Sequence, residues 1–212
     1  MLHELRVNAL LEYFGLDLNS GQISQMLVYL DLLMRWNSKI NLTSVRNAEE
    51  IVTRHFGESL YVAQWAQLEG TLLDVGSGAG FPGLALKIQF PDLSAALLEP
   101  VAKKRAFLKE VVRACDFKSV EVRPERLEEF VRGSQNINFN TITARAVGQF
   151  EHFVPEAVKI LNPDGQLCLW IGQQQGNQLK QSTDSIEWDQ PIAIPLGRER
   201  EIWIGRLKQG AK

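Results

Sequence analysis

The sequence predicts an α/β fold: a mostly parallel sheet with helices on both faces, an N-terminal helical extension and a C-terminal antiparallel hairpin. Three observations carry that prediction. Short apolar runs alternate with helical patterns from Thr71 to Ile171, as parallel strands joined by crossover helices require. The first of these runs ends in a glycine cluster, at the strand end where such sheets gather ligands. The 212 residues, 45% hydrophobic and 23% charged, suit one globular domain with a small appendage. The extension is placed at residues 1–68 and the core at 69–212.

In the extension, Leu5, Ala9, Leu10 and Tyr13 recur at helical spacing and predict a first helix ended by Gly15. Asn19 or Ser20 caps a second, with an inward stripe of Ile23, Met26, Leu27, Leu30, Leu33 and Met34. A third starts at Asn47, with Glu50 completing a capping box, and runs to about Trp65. In the core, Thr71–Val75 is a strand and Pro82 suits the first turn of a helix running from Gly83 to about Phe90. Ser94–Leu98 is the second strand, Lys103–Cys115 a helix, Ser119–Val122 the third strand and Phe139–Ala144 the fourth. Phe150–Leu161 is a helix, Asn162–Gly165 a turn and Gln166–Ile171 the fifth strand; Gln173–Gly176 is a polar loop. Pro191–Pro195, a turn at Gly197–Glu199 and Glu201–Leu207 form the closing hairpin.

Composition excludes several classes. Net charge is −2, and residues 1–70, 71–150 and 151–212 hold 5, 11 and 7 basic against 8, 9 and 8 acidic side chains, so no segment announces nucleic acid by charge alone. Any RNA contact must come from a folded patch. Two cysteines, Cys115 and Cys168, make neither a disulfide framework nor a four-ligand zinc site, and read as reduced thiols of a cytoplasmic protein. Three histidines stand in no triad-like or metal-like arrangement, so no metal is expected. No run approaches the ~20 apolar residues of a membrane span, and the acidic N-terminal segment does not read as a signal peptide.

The informative segment is Leu72-Leu73-Asp74-Val75-Gly76-Ser77-Gly78-Ala79-Gly80-Phe81-Pro82-Gly83. Its glycines permit positive φ and close backbone approach by a ligand. Two readings compete. Gly78, Gly80 and Gly83 match the dinucleotide pattern, with Glu99 an acid 21 residues on, which makes the loop a pyrophosphate cradle for NAD. Asp74 points elsewhere: an acid at the strand tip repels pyrophosphate and suits the ammonium of S-adenosylmethionine, which has no phosphate. Glu99 serves the ribose hydroxyls in either case. The D-x-G-x-G-x-G order favours the methyl donor. Ser77, Gly78 and Gly80 complete that loop as cofactor-site candidates.

Trp36-Asn37-Ser38-Lys39-Ile40-Asn41-Leu42-Thr43-Ser44, Arg54-His55-Phe56-Gly57-Glu58-Ser59-Leu60, the glycine segment and Thr143-Ala144-Arg145-Ala146 occur in this order. Together they resemble the bacterial small-subunit (16S) rRNA guanine-N7 methyltransferases, historically called glucose-inhibited division protein B, over nearly the whole chain. The resemblance implies a class I S-adenosylmethionine-dependent methyltransferase core, a helical extension, and transfer to N7 of one guanine near the decoding region. It also implies cofactor contacts at Gly76, Phe81, Leu127, Glu128 and Arg145. The sequence departs from the family pattern at Glu58, where Asp is usual, and at Pro163-Asp164-Gly165, where Pro-Gly-Gly is common.

Guanine N7 is an in-plane lone pair that attacks without prior deprotonation, so no general base is assigned and positioning is the expected mechanism. Arg145 is the one possible catalytic side chain, as a ligand of the donor carboxylate, a phosphate or guanine O6. Arg54, His55, Lys103, Lys104, Arg123 and Arg126 are the candidate RNA contacts. The expected partner is 16S rRNA, in the small subunit or an assembly intermediate, bound by a monomer with no membrane attachment. Two alternatives stay open: a small-molecule or protein methyltransferase on the same fold, and an NAD-binding module.

Overall fold

The computed structural model describes residues 2–133, 137–181 and 184–208. The strands are β1 (Thr71–Val75), β2 (Ser94–Leu98), β3 (Val120–Arg123), β4 (Phe139–Arg145), β5 (Leu161–Gly172), β6 (Ile186–Trp188), β7 (Ile192–Ala193) and β8 (Arg200–Leu207). Among the described residues they form one sheet in the order β3-β2-β1-β4-β5-β8-β6, with β7 also on β8. Neighbours from β3 to β5 are parallel, while β8 runs antiparallel to β5, β6 and β7. The order reverses at β1 and β4, which leaves a crevice beyond their C-terminal ends.

Alternation along β1 sends Leu72 into the apolar layer on one face and Leu73 into that on the other. The first layer is shared by α5 (Gly83–Gln89), α6 (Ala102–Ala114) and the helices of residues 1–68, so the extension completes one face of the sheet. The second face carries α7 (Leu127–Gly133), α8 (Phe150–Val158) and α9 (Gly176–Gln181).

In the extension, α1 (Glu4–Leu11) runs into a tight turn over Glu12–Phe14 and ends at Gly15, whose φ is +61°. Its inward face differs from the expected one. Leu5 is 85% and Tyr13 62% exposed, whereas Val7, Leu10, Leu11 and Phe14 are buried. Apolar side chains occur on several sides of this short helix, and the packing partner decides which side faces inward. Helix α2 (Ser20–Asn37) is capped by Asn19, whose side chain accepts from the Gln22 amide while the Gln22 side chain returns to the Asn19 amide. Met34 lies outside the buried stripe at 42% exposure, and Tyr29 lies fully within it.

The third helical stretch starts after Asn47 as expected, with α3 (Ala48–Ile51), and widens into a π turn at Val52–Gly57. It then closes through α4 (Glu58–Leu60) and a short tight helix at Tyr61–Gln64. The Glu50 side chain bonds Arg54 at 2.7 Å, so Asn47 caps the Glu50 amide at 3.1 Å without a reciprocal box. The Phe14 ring occupies the place a Cβ at Gly57 would take. Such single π turns recur at functional sites; this one carries Arg54 and His55.

The predicted turn at residues 162–165 bulges within β5, because Leu161 pairs with Phe139 and Gln166 with Thr141. The polar segment Gln173–Gln175 is a tight helical turn leading into α9. Two further elements, α7 and β6, fall where no element was expected.

Candidate active site

The loop after β1 is closed by its own amides. Gly76 and Ser77 donate to the Leu98 carbonyl at 2.9 and 3.0 Å, and Gly80 and Phe81 to the Ser77 carbonyl at 2.6 and 3.2 Å. The Gly78 amide donates to Glu99 Oε2 at 2.9 Å. A pyrophosphate cradle needs such N–H groups free to face the ligand. With five of them engaged inside the chain, the acidic side chains left at the loop are two, Glu99 and Asp74.

Glycine is required here for two separate reasons. Gly76 and Gly78 have φ of +71° and +58°, and their vacant Cβ positions face open space apart from the Gly76 carbonyl, 3.7 Å from that of Gly78. Gly80 and Gly83 are required by packing. A Cβ on Gly80 would strike Tyr29, and one on Gly83 would lie 2.7 Å from Asp74 Oδ2. Tyr29 also donates its hydroxyl to the Ala79 carbonyl and stacks on Phe81 at 5.3 Å, so α2 of the extension holds the loop from behind.

Glu99 is buried at the end of β2, and its second oxygen accepts from the Val101 amide at 2.8 Å. Two amides thus fix the carboxylate while leaving it acceptor capacity for further donors. Asp74 lies beneath the loop, fully buried. Register sets β1 Asp74 beside β4 Thr143, whose hydroxyl donates to Oδ1 at 2.7 Å, while Oδ2 has no partner. Burial pushes this carboxyl up to about 6, against the pull of Thr143, Ser77 and the Gly83 amide, which lies beside Oδ2 without the geometry of a full hydrogen bond. A cavity of about 210 Å³ opens beside the loop. Val75, Gly76, Leu98, Leu127 and Phe153 form much of its apolar wall, and Arg126, Glu128, Gln149 and His152 lie at its polar positions.

A second group of side chains sits where β4 ends. Arg145 donates through Nη2 to the Arg54 carbonyl and to Glu58 Oε2, both at 2.8 Å, and its Nη1 is buried without a partner. Glu58, 1% exposed, also receives Nε of Arg200 at 3.0 Å and a second bond from its Nη2, while its own carbonyl accepts from Trp170 at 2.7 Å. The longer acid at this position therefore bridges two guanidiniums. His55 stacks on Phe81 with centroids 5.0 Å apart and lies 2.7 Å from the Thr43 hydroxyl. Burial first, then Arg145 and Arg54, push it down to about 3, so it is neutral near pH 7.

The structure thus divides the candidate residues. Gly76, Leu127, Glu128 and Arg126 line the cavity, and Gly78 and Glu99 are bonded to each other beside it. Asp74 and Ser77 lie below the loop; Gly80 and Phe81 turn toward the extension, the Phe81 ring stacked between Tyr29 and His55. Arg145, Arg54 and His55 form the second group. Lys103 is exposed and Lys104 half-buried at the start of α6, and Arg123 is held by Glu121 and Glu125 at 3.0 and 2.6 Å. Sequence reasoning missed Tyr29, Thr143, Arg200, Gln149 and His152. Only Tyr29, at helical spacing from Met26, and Thr143, inside a quoted motif, carried a usable signal.

Comparison with known proteins agrees with this architecture. The family model described as GidB, rRNA small subunit methyltransferase G, matches residues 22–200. A Chloroflexus aggregans protein named ribosomal RNA small subunit methyltransferase G is 38% identical over 200 residues, covering 90% of this chain and 84% of its own. A Syntrophotalea carbinolica protein of the same name is 32% identical over 213 residues, covering 97% and 98%. Among solved structures, a ribosomal protein L11 methylase from Lactobacillus delbrueckii subsp. bulgaricus superposes with TM-score 0.60 at 16% identity, over 72% of this chain and 78% of its own. The glycopeptide N-methyltransferase MtfA complexed with sinefungin gives 0.61 at 10% identity, over 73% and 87%. These last two show the fold, that of class I methyltransferases. With the family model spanning most of the chain and relatives above 30% identity along nearly all of it, the chain belongs to the GidB family, rRNA small subunit methyltransferase G.

Proposed function

We propose that the chain transfers the methyl group of S-adenosylmethionine to N7 of a guanine in small-subunit (16S) rRNA, presented in the subunit or an assembly intermediate in the cytoplasm. The observation that carries the donor assignment is the closed loop: five of its amides, those of Gly76, Ser77, Gly78, Gly80 and Phe81, are engaged within the chain and Glu99 is fixed beside the cavity, with Asp74 below. A phosphate-bearing coenzyme would meet carboxylates there, whereas an ammonium and a ribose diol find acceptors. Among the described residues, no helix is long and apolar enough to cross a membrane.

The residues divide the work by chemistry. Gly76 and Gly78 leave open space for close approach, Glu99 accepts from the ribose hydroxyls, and the cavity walled by Leu98, Leu127 and Phe153 takes the base. Asp74, with an unpartnered oxygen, supplies the negative field for the ammonium end through the loop above it. When bound, the donor supplies an electrophilic methyl on a sulfonium. N7 of guanine is already a free lone pair, so no side chain need remove a proton, and neutral His55 is not asked to. Alignment is the protein's main contribution, an effect worth up to about 7–11 kcal/mol in favourable systems.

Transfer of a labelled methyl group to small subunits from cells lacking this enzyme, followed by nucleoside analysis, tests the proposal. Label in 7-methylguanosine is the expected result. Label in another nucleoside, or none in RNA, would reject it.

A further inference from the structure

The loop between β7 and β8 reaches back across the extension and closes a second cavity, of about 270 Å³, against the π turn. Thr53 and Arg54 supply one wall; Leu196, Arg198 and Arg200 supply the other. The carboxylates present are already engaged. Glu50 holds Arg54 at 2.7 Å, and Glu58 bridges Arg200 and Arg145. Glu199 and Glu201 line an adjoining cavity. Three guanidiniums (Arg54, Arg198 and Arg200) thus face two carboxylates across this cavity. One of the three, Arg198, is exposed and has no side-chain partner among the described residues.

The position matters as much as the charge. Glu58 and the Arg54 carbonyl both bond Arg145 at the end of β4, so the cavity adjoins the end of the sheet where donor and target must meet. Leu196, 57% exposed at the rim, offers an apolar surface next to the cations. A free guanidinium beside two paired ones, with an apolar rim, suits a phosphodiester flanked by a sugar or base.

We propose that this seam between the π turn and the β7–β8 hairpin is a docking groove for the phosphodiester backbone of the RNA, with Arg198 as its free phosphate ligand and Arg54 and Arg200 as its walls. It rests on the rRNA reading above and adds a contact on a hairpin that sequence reasoning left without a role.

The test is direct binding of a small-subunit rRNA fragment to the full chain, by anisotropy across a salt series, for wild type, Arg198→Ala and Arg198→Glu. Arg198→Ala should raise the RNA dissociation constant about three- to tenfold, equally for unrelated RNA sequences, and lower the salt slope by about one ion. Arg198→Glu should weaken binding further. S-adenosylmethionine affinity, titrated in parallel, should be the same in all three. Wild-type binding matched by both variants at every salt concentration would overturn the groove. So would a site for free phosphate, seen as inorganic phosphate binding that Arg198→Ala removes while RNA binding is kept. Because binding is read without turnover, a failed groove is distinguishable from a failed reaction: the former leaves methyl transfer to N7 intact, the latter abolishes it in wild type.

Discussion

The glycine loop and the Glu58 cluster lie at the same end of the sheet but are built in opposite ways. The loop is held largely by backbone groups; its ties to the end of β2 run from Gly76 and Ser77 to Leu98 and from Gly78 to Glu99, the last 21 residues apart. The cluster is held by side chains from four distant segments: Glu58 meets Arg145, Trp170 and Arg200 at separations of 87, 112 and 142 residues. One is local and open to ligand, the other long-range and, at its central carboxylate, 1% exposed. The difference predicts a division of labour. Changes at the open loop positions Gly76 and Gly78 should cost binding with little stability, and changes at the centre of the cluster should cost stability first.

The largest effect expected is that of Glu58→Ala. It leaves two partly buried guanidiniums without their shared carboxylate, and the unfolding free energy from urea titration should fall by about 3–5 kcal/mol. A loss below ~1 kcal/mol would mean that the cluster is not a structural centre. Gly78→Asp is its counterpart. The vacant Cβ site is open and Asp tolerates positive φ, so the fold should survive, while S-adenosylmethionine affinity should drop at least ~100-fold, near 3 kcal/mol. Calorimetric titration showing near-native affinity would break the comparison.

Asp74 allows a pH test. Its carboxyl stands at about 6 in the folded chain against 3.8 unfolded, so as pH rises the unfolded chain releases this proton first. Stability should therefore fall by about 3 kcal/mol from below 3.8 to above 6 and stay flat beyond, relative to Asp74→Asn. Parallel stability–pH curves for the two proteins would contradict the buried carboxyl. The smallest effect expected is that of Arg145→Ala, which keeps the Glu58–Arg200 pair. Turnover should fall roughly tenfold, ~1.4 kcal/mol, with a smaller stability loss than Glu58→Ala. An unchanged rate would make Arg145 purely structural.

The same contrast explains what was legible in the sequence. Alternating strands and helices, the Asn19 cap and the glycine loop depend on neighbours along the chain, and they lie where pattern and turn chemistry put them. The inward face of α1 was misread because Val7 and Phe14, not Leu5 and Tyr13, meet the rest of the core, and only the partner decides that. The short strand β6 exists through its pairing with β8, and α7 through packing against α8; neither has a strong period of its own. At the site, Glu99 could be placed from strand spacing. The bridging role of Glu58 could not, since nothing in residues 54–60 announces Arg200. The departure from the usual Asp marked the position without revealing its partners.

The most direct test is a crystal structure with S-adenosylmethionine bound. The amino acid end of the donor is expected over the corner formed by Asp74 and Gly76, the ribose on Glu99 and the base in the cavity beside Leu127. A donor whose amino acid end lies away from that corner, or whose ribose does not touch Glu99, would contradict this placement.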